Sequence, residues 1–147
     1  MVEHSHEVQA LSLDALLPHR APMQLLDGVS EAGNGLCRAH LTVDPKAWYA
    51  EADGSMPAWY GLELLAQTIA AYSGATKAAA GLPARLGFLL GTQVYACAVP
   101  AFPAGSRLDT EARVCFQDES GLCAFTCTLL LEGVVVAETT LKVFEKP

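Results

Sequence analysis

The sequence has no run of about 18 consecutive apolar residues, so no stretch has the make-up of a membrane-spanning helix. Its N-terminus, MVEHSHEVQ, lacks both a basic stretch and a hydrophobic stretch. The expectation is therefore no secretory signal and a cytoplasmic location. Basic residues are scarce, with 9 Lys and Arg against 16 Asp and Glu, a net charge of -7. That balance disfavours nonspecific nucleic-acid binding, which draws on Lys and Arg to neutralise phosphates. The deficit is uneven: residues 1–73 carry nine acids and three bases, and residues 74–147 seven acids and six bases. A surface for an acidic partner is thus expected in the second half. No CxxC pair is present, and the five cysteines, Cys37, Cys97, Cys115, Cys123 and Cys127, are odd in number. Reduced thiols are expected, mostly inert and buried among alternating apolar residues. There is no internal repeat, linker or low-complexity segment. His4 and His6 form a His-x-His pair in the tail, where no metal site is expected.

What is present is apolar matter in quantity. Apolar residues make up 52% of the 147, and mean hydropathy is +0.28. One globular domain over residues 1–147 is expected, with residues 1–10 a disordered tail. Residues 12–17 suit a short helical turn that Pro18 stops. Met23–Val29 reads as a strand, Ala32-Gly33-Asn34-Gly35 as a tight turn and Leu36–Val43 as the return strand. After a loop over residues 44–55, Pro57 suits a first helical position. From there to Ala80 the chain is rich in Ala and Leu and apolar on most sides, which predicts a buried helix. Gly81 and Pro83 end it. Phe88–Val99, Leu108–Gln117, Leu122–Leu131 and Val134–Phe144 read as long strands with turns between them. The order β-β-α-β-β-β-β excludes a doubly wound parallel fold, which needs alternating helices. An α+β fold follows, one long helix wrapped by a curved antiparallel sheet.

That helix carries polar residues its burial does not explain. Glu63 and Gln67 lie four apart, hence on one face. Glu63 is flanked by Leu62, Leu64 and Leu65, and a desolvated carboxyl there suits a general acid near neutral pH. The backbone N–H groups near Ala58–Gly61 are free at a helix start and suit a ligand carbonyl.

Three stretches resemble the FabZ-type 3-hydroxyacyl-acyl carrier protein dehydratases. They are residues 16–29, LLPHRAPMQLLDGV; residues 56–67, MPAWYGLELLAQ; and residues 91–108, GTQVYACAVPAFPAGSRL. The run ADGSMPAWYGLELLAQ is more similar still to the ApeP-like group of divergent hotdog dehydratase-like proteins of bacterial aryl-polyene pathways. The resemblance implies a hotdog fold that works as a dimer, homomeric or with a second dehydratase-like subunit. It implies acyl carrier protein or CoA thioesters as ligands and no cofactor. It places Glu63 at the catalytic acid, Gln67 at the helix glutamine and Ala58 where the family's amide faces the thioester carbonyl. Trp59 fits the ApeP-like run and joins Ala58 and Gln67 as a substrate-binding candidate.

One departure is plain. The family's catalytic His lies fourteen residues before the Glu, and here that position is Tyr49; residues 44–57 contain no His. His19 matches a different family position, in the opening motif. Asp53 and Tyr49 are therefore the candidate bases, although a phenol is a poor base at neutral pH. Three functions stay open: a 3-hydroxyacyl thioester dehydratase, an acyl thioesterase relying on one carboxylate, and a non-catalytic subunit of a heteromeric dehydratase. For an acidic carrier protein, Lys77, Arg85 and Arg107 are the candidate contacts.

Overall fold

A computed structural model describes residues 13–17, 23–82 and 88–145. The expectations at His4, His6, His19 and Arg85, and for the tail over residues 1–10, fall outside these residues. Helix α1 (Leu13–Leu16) is followed by strands β1 (Gly28–Gly33), β2 (Leu36–Thr42) and β3 (Met56–Pro57). Helix α2 (Tyr60–Ala79) leads to β4 (Phe88–Thr92) and β5 (Ala101–Phe102). Three long strands close the chain: β6 (Arg107–Gln117), β7 (Leu122–Leu131) and β8 (Val134–Phe144).

Six strands form one antiparallel sheet in the order β1-β2-β6-β7-β8-β4, and β3 pairs with β5 in a second, two-stranded ladder. Register shifts interrupt β1/β2, β4/β8, β6/β7 and β7/β8. Each extra residue increases local twist, which lets the sheet curl around a helix. Among β2 residues, Cys37, Ala39 and Leu41 are buried and alternate with exposed or half-buried Arg38, His40 and Thr42. This period of two gives the sheet an inner face toward α2 and an outer polar face. On the outer face Arg38 bridges Glu31 and Glu111, and Arg113 joins Glu111.

Helix α2 is covered on two sides. Gly61, Leu64, Leu65, Thr68 and Ala75 are buried at helical spacing. The Thr68 hydroxyl donates to the Leu64 carbonyl at 2.8 Å and accepts from the Thr110 hydroxyl on β6 at 2.6 Å, so it is satisfied in the core. Gly74 lies against the Leu16 carbonyl, where a Cβ would overlap the backbone. Gln67 has no exposed surface; its Nε2 donates to the Met23 carbonyl at 2.6 Å and its Oε1 accepts from the Leu25 N–H at 2.9 Å. The opening segment is thus held on the helix by a side-chain amide rather than by a strand neighbour. Together these make the hotdog arrangement expected from the sequence, a long helix inside a curved antiparallel sheet. Among the described residues no helix is long and apolar enough to cross a membrane.

Several boundaries differ from the expectations. Met23–Leu26 is not strand; β1 starts at Gly28 and runs through Gly33. The reversal needs only Asn34 and Gly35, both at positive φ, 56° and 80°, which suits a two-residue hairpin turn. The helix begins at Tyr60, because Met56-Pro57 is drawn into a ladder with Ala101–Phe102. The expected strand Phe88–Val99 stops at Thr92. Beyond it the chain follows β8 through single bonds, Gln93 N–H to Thr140 O and Ala98 N–H to Val136 O.

Candidate active site at the start of the central helix

The first turn of α2 contains Glu63, which is half-buried. It stands one turn nearer the helix start than Gln67 and on the same face. The residue preceding the helix is Trp59, with φ -64° and ψ -22° and no side-chain cap. Ser, Thr, Asp or Asn normally accepts the first N–H groups at this position, and a Trp leaves them without that acceptor. Gly61 N–H turns back to the Ala58 carbonyl at 2.9 Å, and Leu62 N–H reaches the Trp59 carbonyl at 3.4 Å. Among the described residues, no acceptor from the chain meets the Trp59 or Tyr60 N–H.

Ala58 itself is clamped. Its N–H donates to the Pro100 carbonyl at 3.0 Å. Its carbonyl accepts from the Tyr95 hydroxyl at 2.7 Å. In this structure, therefore, the Ala58 amide already has an acceptor, and the helix-start donors left over lie one and two residues further on. Sequence reading missed Tyr95. The only signal for it was an aromatic residue interrupting a run of small and apolar ones in the stretch after the helix.

The loop before the helix brings aromatic rings to the same end. Trp48 meets Tyr60 edge-on, with centroids 5.5 Å apart, and Tyr49 at 5.9 Å. Trp59 lies 6.0 Å from Tyr60 and is 65% exposed. Trp48 is 51% exposed, so two indoles flank the helix start. Tyr49, by contrast, is buried, and its hydroxyl accepts the Asp44 N–H at 2.9 Å. Burial pushes its phenol pKa up, partly offset by that hydrogen bond. A phenol held this way is a structural acceptor, and nothing in its surroundings makes it a stronger base at neutral pH. Asp53 is exposed, and its Oδ1 accepts from the Ser55 hydroxyl at 2.5 Å and the Ser55 N–H at 3.0 Å. Those bonds hold its carboxyl below the usual range. A carboxylate stabilised in its ionised form is a weaker base. Both candidate bases thus have turn-building roles in the loop.

Of the candidate carrier contacts, the two described, Lys77 and Arg107, lie apart. Lys77 lies in the last turn of α2, about 25 Å from Tyr60 at 1.5 Å per residue, and is ion-paired to Glu145. Glu145 also accepts from Ser73. Arg107 lies at the other end, where the loop into α2 leaves the sheet, and its guanidinium contacts Asp109 at 3.0 Å. Half of the Arg107 side chain remains exposed. Of the thiols, Cys37 and Cys127 are buried, and burial pushes both pKa values up to about 12. Cys97 and Cys123 are half-buried, and Cys115 is exposed at the register shift between Val114 and Phe116. Among the described residues no group of three or more His, Cys, Asp or Glu has the spacing to hold a metal.

No functionally curated protein matches the sequence. The structure of the dehydratase heterocomplex ApeI:P from Xenorhabdus doucetiae is similar to this chain at a TM-score of 0.87 and 31% identity, over 93% of this chain and 92% of that one. The PaaI phenylacetic acid degradation protein of Thermus thermophilus is 17% identical, with 82% and 93% of the two chains covered and a TM-score of 0.61. A hypothetical thioesterase from Streptococcus pneumoniae, solved with coenzyme A, is 14% identical, with 79% and 85% covered and a TM-score of 0.62. The last two share the fold. The sequence model of the ApeP dehydratases matches residues 11–147. With that match spanning nearly the whole length and the dehydratase heterocomplex so similar in both sequence and shape, the chain belongs to the ApeP-like dehydratase family.

Proposed function

We propose that this chain dehydrates 3-hydroxyacyl thioesters through a site at the start of α2, with Glu63 as the acid and a second, dehydratase-like subunit supplying the base. Loss of water needs a proton removed from Cα, a proton delivered to the departing hydroxyl, and donors on the thioester carbonyl to stabilise the enolate-like charge. Glu63 serves the hydroxyl. The Trp59 and Tyr60 N–H groups, at the positive end of the helix dipole, serve the carbonyl. The observation that carries the reading is the uncapped helix start with a half-buried carboxyl in its first turn.

The base is the missing piece. Among the described residues His40 is the one histidine, and it stands on the outer face of β2, its ring over Gly28. Tyr49 and Asp53 are already committed to the loop. The related ApeI:P structure is a heterocomplex, and a partner contributing a histidine across the interface would complete the same arrangement here. The acyl carrier would then approach the end of the molecule where Arg107 lies. The test is turnover of a 3-hydroxyacyl thioester by three preparations: this chain alone, the dehydratase-like partner alone, and the two together. The expected result is weak activity from this chain alone and a gain on mixing that Glu63→Gln abolishes. Full activity from this chain alone, or a gain indifferent to Glu63→Gln, refutes the assignment. Hydrolysis of saturated acyl thioesters in place of dehydration identifies a thioesterase.

A further inference from the structure

We infer that Tyr95 is a positioning residue of this site: its hydroxyl, bonded to the Ala58 carbonyl, strengthens the Trp59 N–H as a donor to the substrate carbonyl. The inference rests on the site proposed above and goes beyond it by naming how the chain tunes that donor. The Ala58 carbonyl and the Trp59 N–H are two ends of one peptide group. Donors at the oxygen end polarise the group and make its N–H a better donor, as in any hydrogen-bonded chain. The Ala58 oxygen receives two, the Tyr95 hydroxyl at 2.7 Å and the Gly61 N–H at 2.9 Å. The Trp59 N–H at the other end has no acceptor among the described residues. The donor chain therefore runs from phenol to carbonyl, through the peptide, to an open N–H four residues before Glu63 in the chain.

The surroundings are shaped for this contact. Tyr95 is half-buried, and desolvation keeps its phenol protonated at every working pH, so the O–H remains a donor. Residue 61 is a glycine, and a Cβ there would overlap the Tyr95 oxygen and press on Leu129. The same segment holds Ala58 a second time, through the Pro100 carbonyl. That bond and the β3/β5 ladder fix the backbone up to Ala58, the residue whose carbonyl meets the hydroxyl.

Tyr95→Phe keeps the ring and removes the donor. In the active preparation, this chain with its partner, kcat should fall about tenfold with KM nearly unchanged. That is less than the 10²–10³ typical of deleting a direct oxyanion donor, because the effect passes through one peptide group. The infrared carbonyl stretch of a bound, non-reactive acyl thioester should move to higher frequency in the variant. In the free protein, the Trp59 amide proton and nitrogen resonances should both move upfield. Gly61→Ala, which displaces the hydroxyl, should reproduce the amide change. A Trp59 amide unaffected by Tyr95→Phe overturns the inference, as does an unaltered kcat and carbonyl frequency in an active complex. If the unsubstituted complex fails to dehydrate, the functional reading fails, and the amide measurement still decides the role of Tyr95.

Discussion

Replacing Gln67 with leucine tests whether this glutamine is a clamp for the opening segment or a substrate contact. The two side chains are of similar volume, so the change opens little cavity. It strands the Leu25 N–H in a buried setting and deprives the Met23 carbonyl of its donor. A buried orphan donor costs about 1–3 kcal/mol. Met23 is 52% exposed, so its carbonyl can turn to water at little cost. The expected loss is about 2 kcal/mol, or about 6 °C in Tm for a chain of this size. Urea unfolding should show a lower midpoint at unchanged slope. Gln67→Glu sharpens the test. A protonated Glu can still donate to the Met23 carbonyl, whereas an ionised one is buried against it. The folded-state pKa of this carboxyl should therefore lie above the unfolded value of about 4.3. Relative to the parent, its stability should be best near pH 4 and decline as pH rises toward 7. A Tm within 1 °C of the parent for Gln67→Leu, together with lost turnover, refutes the clamp and makes Gln67 a substrate contact.

Glu63→Gln should remove turnover in the active complex while leaving Tm within about 2 °C, since a half-buried carboxyl is replaced by its isostere. Tyr49→Phe should cost about 1 kcal/mol in chemical denaturation, from the Asp44 N–H left without its acceptor, and leave kcat unchanged. Tyr49→His should not raise activity, because the smaller ring leaves both that N–H and the contacts to Trp48 and Tyr60 unfilled. In the native protein at pH 8, a thiol reagent followed by peptide mass spectrometry should modify Cys115 first and leave Cys37 and Cys127 intact, as their pKa values near 12 keep them protonated. The outer side of β4 is the sheet edge, so Gly91→Lys should weaken any dimer seen by light scattering.

The sequence and the structure agree where period and punctuation are local. The strands over Leu122–Leu131 and Val134–Phe144 are as expected, since alternation and a Glu-Gly turn define both. The helix is legible from its Ala and Leu content, but its first three residues are not. Pro57 suits a first helical turn, and equally a short ladder that needs no N–H from it; only the distant Ala101–Phe102 decides between the two. Met23–Leu26 has the composition of a strand, yet its backbone partner is a side chain 42 to 44 residues away. Glu63 and Gln67 were legible because helical spacing places them together. Tyr95 was not, because its role depends on a carbonyl 37 residues back in the chain. The candidate bases show a related limit: residue type identifies a titratable group, while only the structure shows the hydrogen bonds it makes. Asp53 and Tyr49 are both titratable, and both are engaged in shaping the loop.

The segment that clamps the helix start is the direct continuation of the sheet edge. Thr92 ends β4, and Tyr95 follows three residues later, with Pro100 and the β5 pair after it. Whatever pairs along that edge would restrain the residues that lead into the clamp. A ligand that orders the helix start does the same from the other end. Two events that draw on one reservoir of disorder are thermodynamically linked. If edge pairing raised substrate affinity at the proposed site, substrate would raise the association constant of the pair by the same factor.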